Sequence, residues 1–156
     1  MYVIQQSTGQ HIKVEVLPLD KKDYSVIAIN TGFQFNWEIE TNRIFKLSIV
    51  KTKEILGLLS LKVIPIEFRV QIMLLEVSME NVGKNKVYER VAGILIAHAC
   101  RISYEEGCLG FVSLVPKTML RKHYTEKYGL IPMADHMASD GSNSRKLISN
   151  YLLNEE

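Results

Sequence analysis

The chain has 156 residues, of which 47% are hydrophobic, and this composition is sufficient for one domain (residues 1–156) with a sizeable core. Its net charge of +2 gives no indication of nucleic-acid binding, and we expect none. No apolar run approaches the roughly 18 residues needed to span a bilayer, so we expect no membrane segment. The first residues also lack a signal-peptide pattern, and the two cysteines suggest free thiols, which favours a cytoplasmic protein.

The first third predicts a strand and a short helix. Residues 11–17 alternate polar and apolar side chains, as a half-buried strand does. Asp20 is placed to cap a helix that continues to Ala28. Loops marked by Thr31-Gly32 and Thr41-Asn42 then surround an aromatic patch, Phe33, Phe35 and Trp37.

The middle of the chain predicts an antiparallel hairpin and then an alternation of strands and helices. Ile44–Lys51 and Ile55–Val63 form the hairpin. The elements that follow are a strand at Ile72–Ser78, a helix at Val91–Glu106 closed by Gly107, a strand at Phe111–Val115, and a helix at Thr118–Tyr128 closed by Gly129.

The C-terminal segment contains a turn signal, Ser139-Asp140-Gly141-Ser142-Asn143. We expect this turn to join two final strands, near Pro132–Ala138 and Lys146–Leu153. The whole pattern predicts the α+β class, with a mixed, mostly antiparallel sheet flanked by helices.

The segment from residue 72 to residue 106 predicts an anion site. A strand leads through a polar loop to the start of a long helix, whose first N–H groups are unpaired and lie at the positive end of the helix dipole. The loop adds three cations, Lys84, Lys86 and Arg90, which suit a phosphate or pyrophosphate. The alternative is a strand–loop–helix unit that binds no ligand.

The order of elements from about Ile44 to Ile131 resembles the core of the GCN5-related N-acetyltransferase (GNAT) superfamily. The resemblance implies an acyl-CoA N-acyltransferase fold and an enzyme that transfers an acetyl group from acetyl-CoA to a primary amine, by direct attack in a ternary complex. Its implied partners are acetyl-CoA and the amine acceptor, and a homodimer is compatible with it. The alternative is a non-catalytic GNAT-fold protein that binds coenzyme A or a protein partner.

The coenzyme-binding signature of that superfamily is Arg or Gln, two residues, Gly, one residue, and then Gly or Ala. The corresponding segment here is Val87–Ala92, in which only Ala92 matches and Arg90 replaces the usual glycine. The resemblance implies that the cofactor is contacted at the start of the long helix, by Tyr88, Glu89, Arg90, Val91, Ala92 and Gly93.

The strand before the loop has further implied roles. In the superfamily this strand bulges, separates from the next strand and pairs with the pantetheine arm through its main chain, which implies contacts from Val77 and Ser78. Glu76 is the implied general base, since burial beside Leu75 and Val77 would raise the pKa of its carboxyl. The alternative places Glu76 on the solvent face.

Tyr124 is the implied general acid, which protonates the departing thiolate of coenzyme A. The superfamily usually has this tyrosine four residues before the helix-ending glycine, where this chain has Thr125. The alternatives are that Tyr124 packs in the core and that His123 or water supplies the proton. Lys117, Arg121 and Lys122 begin the helix near the implied position of the adenosine 3′-phosphate, or else form a solvated basic face.

Two further predictions concern metal binding and the acceptor. His98 lies in an apolar helix with no second ligand at helical spacing, so we expect a core histidine and no metal. Phe33, Phe35 and Trp37 with Glu38 and Glu40 suggest a cationic amine acceptor, whereas a core role is the alternative for Trp37.

Overall fold

The computed structural model describes residues 1–29, 32–116 and 120–153. It contains one mixed sheet of nine strands flanked by four α-helices, which confirms the predicted α+β class. The strands, in chain order, are β1 (Tyr2–Gln5), β2 (His11–Pro18), β3 (Arg43–Ile49), β4 (Ile55–Ile64), β5 (Arg69–Val77), β6 (Tyr88–Glu89), β7 (Val112–Leu114), β8 (Ile131–Met133) and β9 (His136–Ser139). The helices are α1 (Lys21–Ile29), α2 (Val91–Glu105), α3 (Arg121–Tyr128) and α4 (Gly141–Ile148).

The order of strands across the sheet is β6-β1-β2-β3-β4-β5-β7-β9-β8. The predicted hairpin is the antiparallel pair β3–β4. The strands β5 and β7 are parallel neighbours, and α2 lies in the connection between them, as parallel pairing requires. The other pairs of neighbouring strands in the described residues are antiparallel.

The two faces of the sheet carry separate apolar clusters. Successive residues of a strand point to opposite faces, so Leu59 packs in the cluster covered by α2 and Leu58 in the smaller cluster covered by α1. The smaller cluster also contains Trp37, from a short 3₁₀ turn after α1. The α1 side of the sheet is therefore a second covered face and not a solvent face.

The start of α1 is fixed by two carboxylates that cap it reciprocally. Asp20 Oδ1 accepts a hydrogen bond from the Lys22 N–H at 2.8 Å, which confirms the predicted cap. Asp23 Oδ2 accepts the Asp20 N–H at 2.9 Å, and both oxygens of Asp23 lie 2.8 Å from Lys46 Nζ on β3. This largely buried ion pair ties α1 to the sheet.

The prediction of a final strand at Lys146–Leu153 is wrong. That segment forms the end of α4 and a π-helical turn, Ser149–Leu153. Asp140 begins a helix here, because its side chain accepts the Asn143 N–H at 2.8 Å, as an N-cap does. Leu147 and Leu152 are buried and pack in the cluster covered by α2, so helical spacing suits them better than alternation.

Most other helix and strand ends lie within two residues of the predicted ones, except that β5 begins at Arg69 and not at Ile72. The predicted single strand near Pro132–Ala138 is instead the antiparallel pair β8–β9, because the chain turns at Ala134, whose φ is +56°. The sequence did not predict β1 or β6, which pair with each other. The glycines Gly107 (φ +77°) and Gly129 (φ +70°) end their helices in the left-handed conformation, as predicted. The predicted start of α3 at Thr118 lies outside the described residues. No helix in the described part of the chain is long and apolar enough to cross a membrane.

Candidate functional site

The strands β5 and β7 separate after a short paired stretch. They pair from Val70 with Val112 to Ile72 with Leu114, where β7 ends, while β5 continues to Val77. A cavity of about 220 Å³ lies at the point of separation. Its lining residues are Phe35, Ile72, Met73, Leu74, Leu75, Leu114, Val115, Pro116, Leu120 and Tyr124.

The free edge of β5 presents Val77 but not Ser78. The Ser78 N–H donates to the Leu56 carbonyl on β4 at 3.0 Å, and the Ser78 carbonyl accepts the Asn81 N–H at 2.8 Å. Main-chain groups of successive strand residues point to opposite edges, so those of Val77 point away from β4 and towards the opening. The predicted main-chain contact from Ser78 is therefore not supported, whereas that from Val77 is available.

A larger cavity of about 670 Å³ lies at the N-terminus of α2. It brings together five of the six cofactor contacts implied at this helix, Tyr88, Glu89, Arg90, Val91 and Ala92, with Val77. The first-turn N–H groups of Val91, Ala92 and Gly93 have no acceptor four residues earlier in the helix, and no side chain caps the helix at Arg90. Main-chain donors and the helix dipole therefore favour an anion here.

The loop before α2 is held in place by side chains that the sequence analysis did not identify. Asn81 accepts the Tyr88 N–H through Oδ1 at 2.8 Å and donates through Nδ2 to Ser78 Oγ at 2.7 Å. Gln6 Nε2 donates to the Lys84 carbonyl at 2.8 Å. The Tyr88 N–H is thus engaged within the protein, and Tyr88 contributes its side chain to the cavity wall.

The side chain of Arg90, a predicted phosphate ligand, makes hydrogen bonds within the protein. Its Nε donates to the Tyr2 carbonyl at 3.1 Å and a terminal nitrogen donates to the Asn150 carbonyl at 2.9 Å. The guanidinium also lies 4.2 Å and 5.0 Å from the ring centroids of Tyr2 and Tyr151. Its backbone has φ +84°, the conformation that glycine adopts at no steric cost in the usual signature. Through these contacts Arg90 links the loop before α2 to β1 and to the π-helical turn at Ser149–Leu153.

Gly93 provides space for a side chain from the C-terminal segment and does not line the described cavity. A Cβ at this position would clash with the ring of Tyr151. The Tyr151 ring also contacts the buried Tyr128, with ring centroids 6.3 Å apart. Gly93 can therefore contribute to an anion site only through its main-chain N–H.

Two lysines face the cavity close to one another. Lys86 comes from the loop and Lys127 from the last turn of α3. Partial burial lowers the pKa of Lys127, and the charge of Lys86 lowers it further, whereas Glu89 opposes the effect. An anion between the two ammonium groups would remove their mutual repulsion. The cation pair and the free N–H groups therefore favour the same kind of ligand.

The face of α3 that borders this cavity carries Leu120, His123 and Lys127, at the i, i+3, i+7 spacing of one helical face. This spacing was the sequence signal that could have identified Lys127. Arg121 and Lys122, predicted near a phosphate, do not line the cavity; Arg121 donates to the Ala134 carbonyl and Lys122 pairs with Glu126. Lys117 lies outside the described residues.

Tyr124 lines the opening between β5 and β7, whereas Thr125 is exposed. The helix phase therefore places the tyrosine at the cavity despite its irregular distance from Gly129. Burial raises the pKa of the Tyr124 hydroxyl, so the group keeps its proton over a wide pH range. His123 is exposed and lines the larger cavity.

Glu76 is buried on the α1 side of the sheet and not solvent-facing. Its Oε2 accepts the Gln34 N–H at 2.7 Å, and its Oε1 accepts Trp37 Nε1–H at 2.8 Å and the Phe35 N–H at 3.5 Å. Glu76 lines neither the cavity at the start of α2 nor the opening between β5 and β7. Proton abstraction by Glu76 stays a prediction, and its observed contacts fix the segment from Gln34 to Trp37.

Three cavities lie next to one another across the sheet. The cavity at the start of α2 and the opening between β5 and β7 share Leu120. The opening in turn shares Phe35 with a cavity of about 240 Å³ on the α1 side, which Glu76 does not line either. One ligand can thus approach the opening from the α2 side and a second from the α1 side.

Solved structures with this arrangement identify the fold. The spermidine/spermine N-acetyltransferase SpeG from Vibrio cholerae, crystallised in mutant forms, matches with a TM-score of 0.60 and 15% identity, over 85% of this chain and 96% of that chain. The chain has the GNAT fold. A Bacillus anthracis protein described as a streptothricin acetyltransferase, in complex with acetyl coenzyme A, matches with a TM-score of 0.57 and 14% identity, over 81% of this chain and 95% of that chain.

The GNAT fold also covers part of a larger enzyme. N-acetylglutamate synthase from Neisseria gonorrhoeae, complexed with coenzyme A and L-arginine, matches with a TM-score of 0.57 and 13% identity, over 81% of this chain and 33% of that chain. No profile of a known protein family matches the sequence, and no curated protein matches it. The three-dimensional comparison therefore establishes the GNAT fold, and residue roles follow from the site's own geometry.

The residues described by the structure contain no group of three or more His, Cys, Asp or Glu side chains that would hold a metal ion. His98, as predicted, packs in the core, with its ring 4.6 Å from that of Phe45. Burial lowers the pKa of His98 to about 4, and the charges of Arg101 and Arg43 act in the same direction. His98 is therefore neutral at pH 7.

Proposed function

We propose that this protein is an acetyl-CoA-dependent N-acetyltransferase that acetylates a primary amine by direct attack in a ternary complex. The observation that carries the proposal is the free edge of β5, on which Val77 lines the cavity at the start of α2 and Leu75 lines the opening together with Tyr124. A strand edge of this kind accepts an extended arm through main-chain hydrogen bonds. An adjacent anion site suits the diphosphate of the same molecule.

The coenzyme would occupy the α2 side of the sheet. Its pyrophosphate would accept hydrogen bonds from the N–H groups of Val91, Ala92 and Gly93, with Lys86 and Lys127 balancing its charge. Its pantetheine arm would pair with the main chain of Val77. This arrangement directs the thioester towards the opening between β5 and β7.

The reaction would proceed without a covalent enzyme intermediate. The neutral amine nitrogen attacks the thioester carbonyl carbon, a carbon–nitrogen bond forms, and the carbon–sulfur bond breaks. Tyr124 donates its proton to the departing thiolate and then takes up a proton from solvent, while the proton lost by the amine passes to water. Main-chain N–H groups on the β5 edge polarise the carbonyl oxygen, and holding both reactants in adjoining cavities supplies much of the rate.

Acetyl-CoA should stabilise the protein, because a ligand that binds only the folded state raises the free energy of unfolding by mass action. We expect the melting temperature to rise by about 5–10 °C at a ligand concentration 100 times the dissociation constant. Ala92→Glu should abolish the shift by placing bulk and negative charge in the first turn of α2. Thermal-shift measurements check both results.

Ser142→Glu provides the matched control, since it adds the same charge at the equivalent position in the first turn of α4, away from the cavity. We expect this variant to retain the full shift. Absence of a shift in the unmodified protein at millimolar acetyl-CoA would contradict the enzyme proposal and favour a non-catalytic protein of the same fold.

Glu76 is better supported as a positioning residue than as the base, because its oxygens accept three N–H donors from the segment at Gln34–Trp37. Glu76→Gln and Trp37→Phe both weaken this contact, and Trp37→Phe leaves every carboxylate in place. We expect both variants to raise KM for the amine several-fold without moving the pH profile of kcat. A loss of roughly 10²-fold in kcat for Glu76→Gln alone would instead establish proton abstraction by Glu76.

A further inference from the structure

The cavity on the α1 side of the sheet has a distinctive chemical lining. Its volume is about 240 Å³, and four of its lining residues are aromatic. The residues around it are Tyr24, Ile27, Ala28, Phe33, Gln34, Phe35, Asn36, Trp37 and Glu38. Aromatic rings and the polar residues Gln34, Asn36 and Glu38 thus line the same cavity.

Charge is sparse in this cavity. Glu38 is the one formally charged residue among the described lining residues, and it is exposed at the surface. The nearby Asp23 on α1 forms an ion pair with Lys46 and so contributes no net charge. The described lining therefore offers no group of carboxylates that would hold a ligand with several positive charges.

The wall of the cavity is rigidly held. Trp37 is 2% exposed and is bonded through its indole N–H to Glu76, which also accepts the N–H groups of Gln34 and Phe35. The Phe35 side chain remains 47% exposed and borders both this cavity and the opening between β5 and β7. A ligand that packs against Phe35 would therefore present one end to the reaction centre.

The volume limits the size of the enclosed part of the ligand. Drug-sized ligands occupy cavities of about 300–1,000 Å³. A single ring with a short alkyl chain fits this space, whereas a longer molecule would extend into solvent.

We propose that the acceptor is a small primary monoamine with a flat apolar body, of the arylalkylamine type. Its ring would lie among Tyr24, Phe33 and Phe35, and its amine would reach the thioester past Phe35. This inference rests on the proposed acetyltransferase function and adds the class of acceptor. It differs from the substrate in the name of the SpeG structures, since a polyamine carries several positive charges and the described lining offers one carboxylate.

The test compares initial rates of acetylation at saturating acetyl-CoA for three probes, which are phenethylamine, spermidine and a short neutral peptide with a free N-terminus. We expect kcat/KM for phenethylamine to exceed that of each other probe at least tenfold, because the aromatic walls stabilise its ring and lack the carboxylates that a polyamine needs. The thermal shift with acetyl-CoA is recorded for the same samples.

Two variants test whether the acceptor packs against Phe35. Phe35→Ala should raise KM for phenethylamine roughly fivefold to tenfold, through the loss of one ring contact. Phe68→Ala is the matched control, since Phe68 is also an exposed phenylalanine, at 65%, but lies in the turn before β5 and lines none of these three cavities. We expect Phe68→Ala to leave KM unchanged.

The outcomes separate this inference from the proposal on which it rests. A preference for spermidine or for the peptide overturns the arylalkylamine class and leaves the acetyltransferase function in place. A thermal shift with acetyl-CoA but no acetylation of phenethylamine also overturns the class. If acetyl-CoA gives neither a shift nor transfer to any probe, the acetyltransferase function itself fails, and the acceptor class with it.

Discussion

Replacing Tyr124 with phenylalanine should lower kcat by roughly 10²-fold while leaving acetyl-CoA binding intact, because the ring remains and only the proton donor is lost. The loss should be largest at high pH. A thiol has a pKa near 8.5, so below that pH the solvent readily protonates a released thiolate, whereas above it the enzyme must supply the proton. Burial raises the pKa of the Tyr124 hydroxyl, so this group still carries its proton under those conditions.

The measurement is the pH–rate profile from pH 6 to 9, with an amine acceptor or, as a substitute, with the slow hydrolysis of acetyl-CoA. Tyr104→Phe is the matched control, since it removes a hydroxyl that donates to the Gly141 carbonyl at 2.7 Å, where α2 meets α4. It should cost about 1 kcal/mol of stability and no activity. Equal rates for Tyr124→Phe and the unmodified protein across the range would exclude Tyr124 as the acid.

The free energy of unfolding should fall by about 3 kcal/mol through His98 alone as the pH falls from 7 to below 4. Burial lowers the pKa of His98 from 6.5 to about 4 in the folded protein. The unfolded chain therefore takes up a proton at this residue from about pH 6.5 downwards, and the folded protein does so only near pH 4. Protonation thus favours the unfolded state throughout this window, and stability decreases as the pH falls.

Urea unfolding at several pH values checks this effect through the difference between variants. His98→Leu should lose the His98 contribution and show a flatter dependence between pH 7 and 4, whereas His123→Gln, at an exposed histidine, should retain the full slope. The ion pair of Asp23 and Lys46 is common to all these proteins, so its contribution cancels in the comparison. An unchanged slope in His98→Leu would show that His98 does not control acid stability.

The sequence was most informative where local patterns and packing agree. The run from Ile72 to Glu106 is a strand, a polar loop and an apolar helix, and each of these signals is contained within a few residues. The α1 cap at Asp20 and the helix ends at Gly107 and Gly129 are local for the same reason. The order of these elements was sufficient to predict the GNAT fold.

The sequence was least informative where a contact joins distant parts of the chain. Asp140 suits both a turn and a helix N-cap, and the packing of Leu147 and Leu152 on the α2 side favours the helix. Arg90 looked like a phosphate ligand, but residues 88 and 60 positions away along the sequence take its hydrogen bonds. The partners of Glu76 lie about 40 residues away, and no periodicity in either segment indicates them.

The central claim is that acetyl-CoA binds along the free edge of β5, from the start of α2 to the opening between β5 and β7. A crystal structure of the protein with acetyl-CoA tests it most directly. We predict the pyrophosphate within hydrogen-bonding distance of the N–H groups of Val91, Ala92 and Gly93, the pantetheine arm paired with the main chain of Val77, and the thioester sulfur beside the Tyr124 hydroxyl. Acetyl-CoA bound elsewhere, or a ligand-free cavity in crystals grown at saturating acetyl-CoA, would contradict the claim.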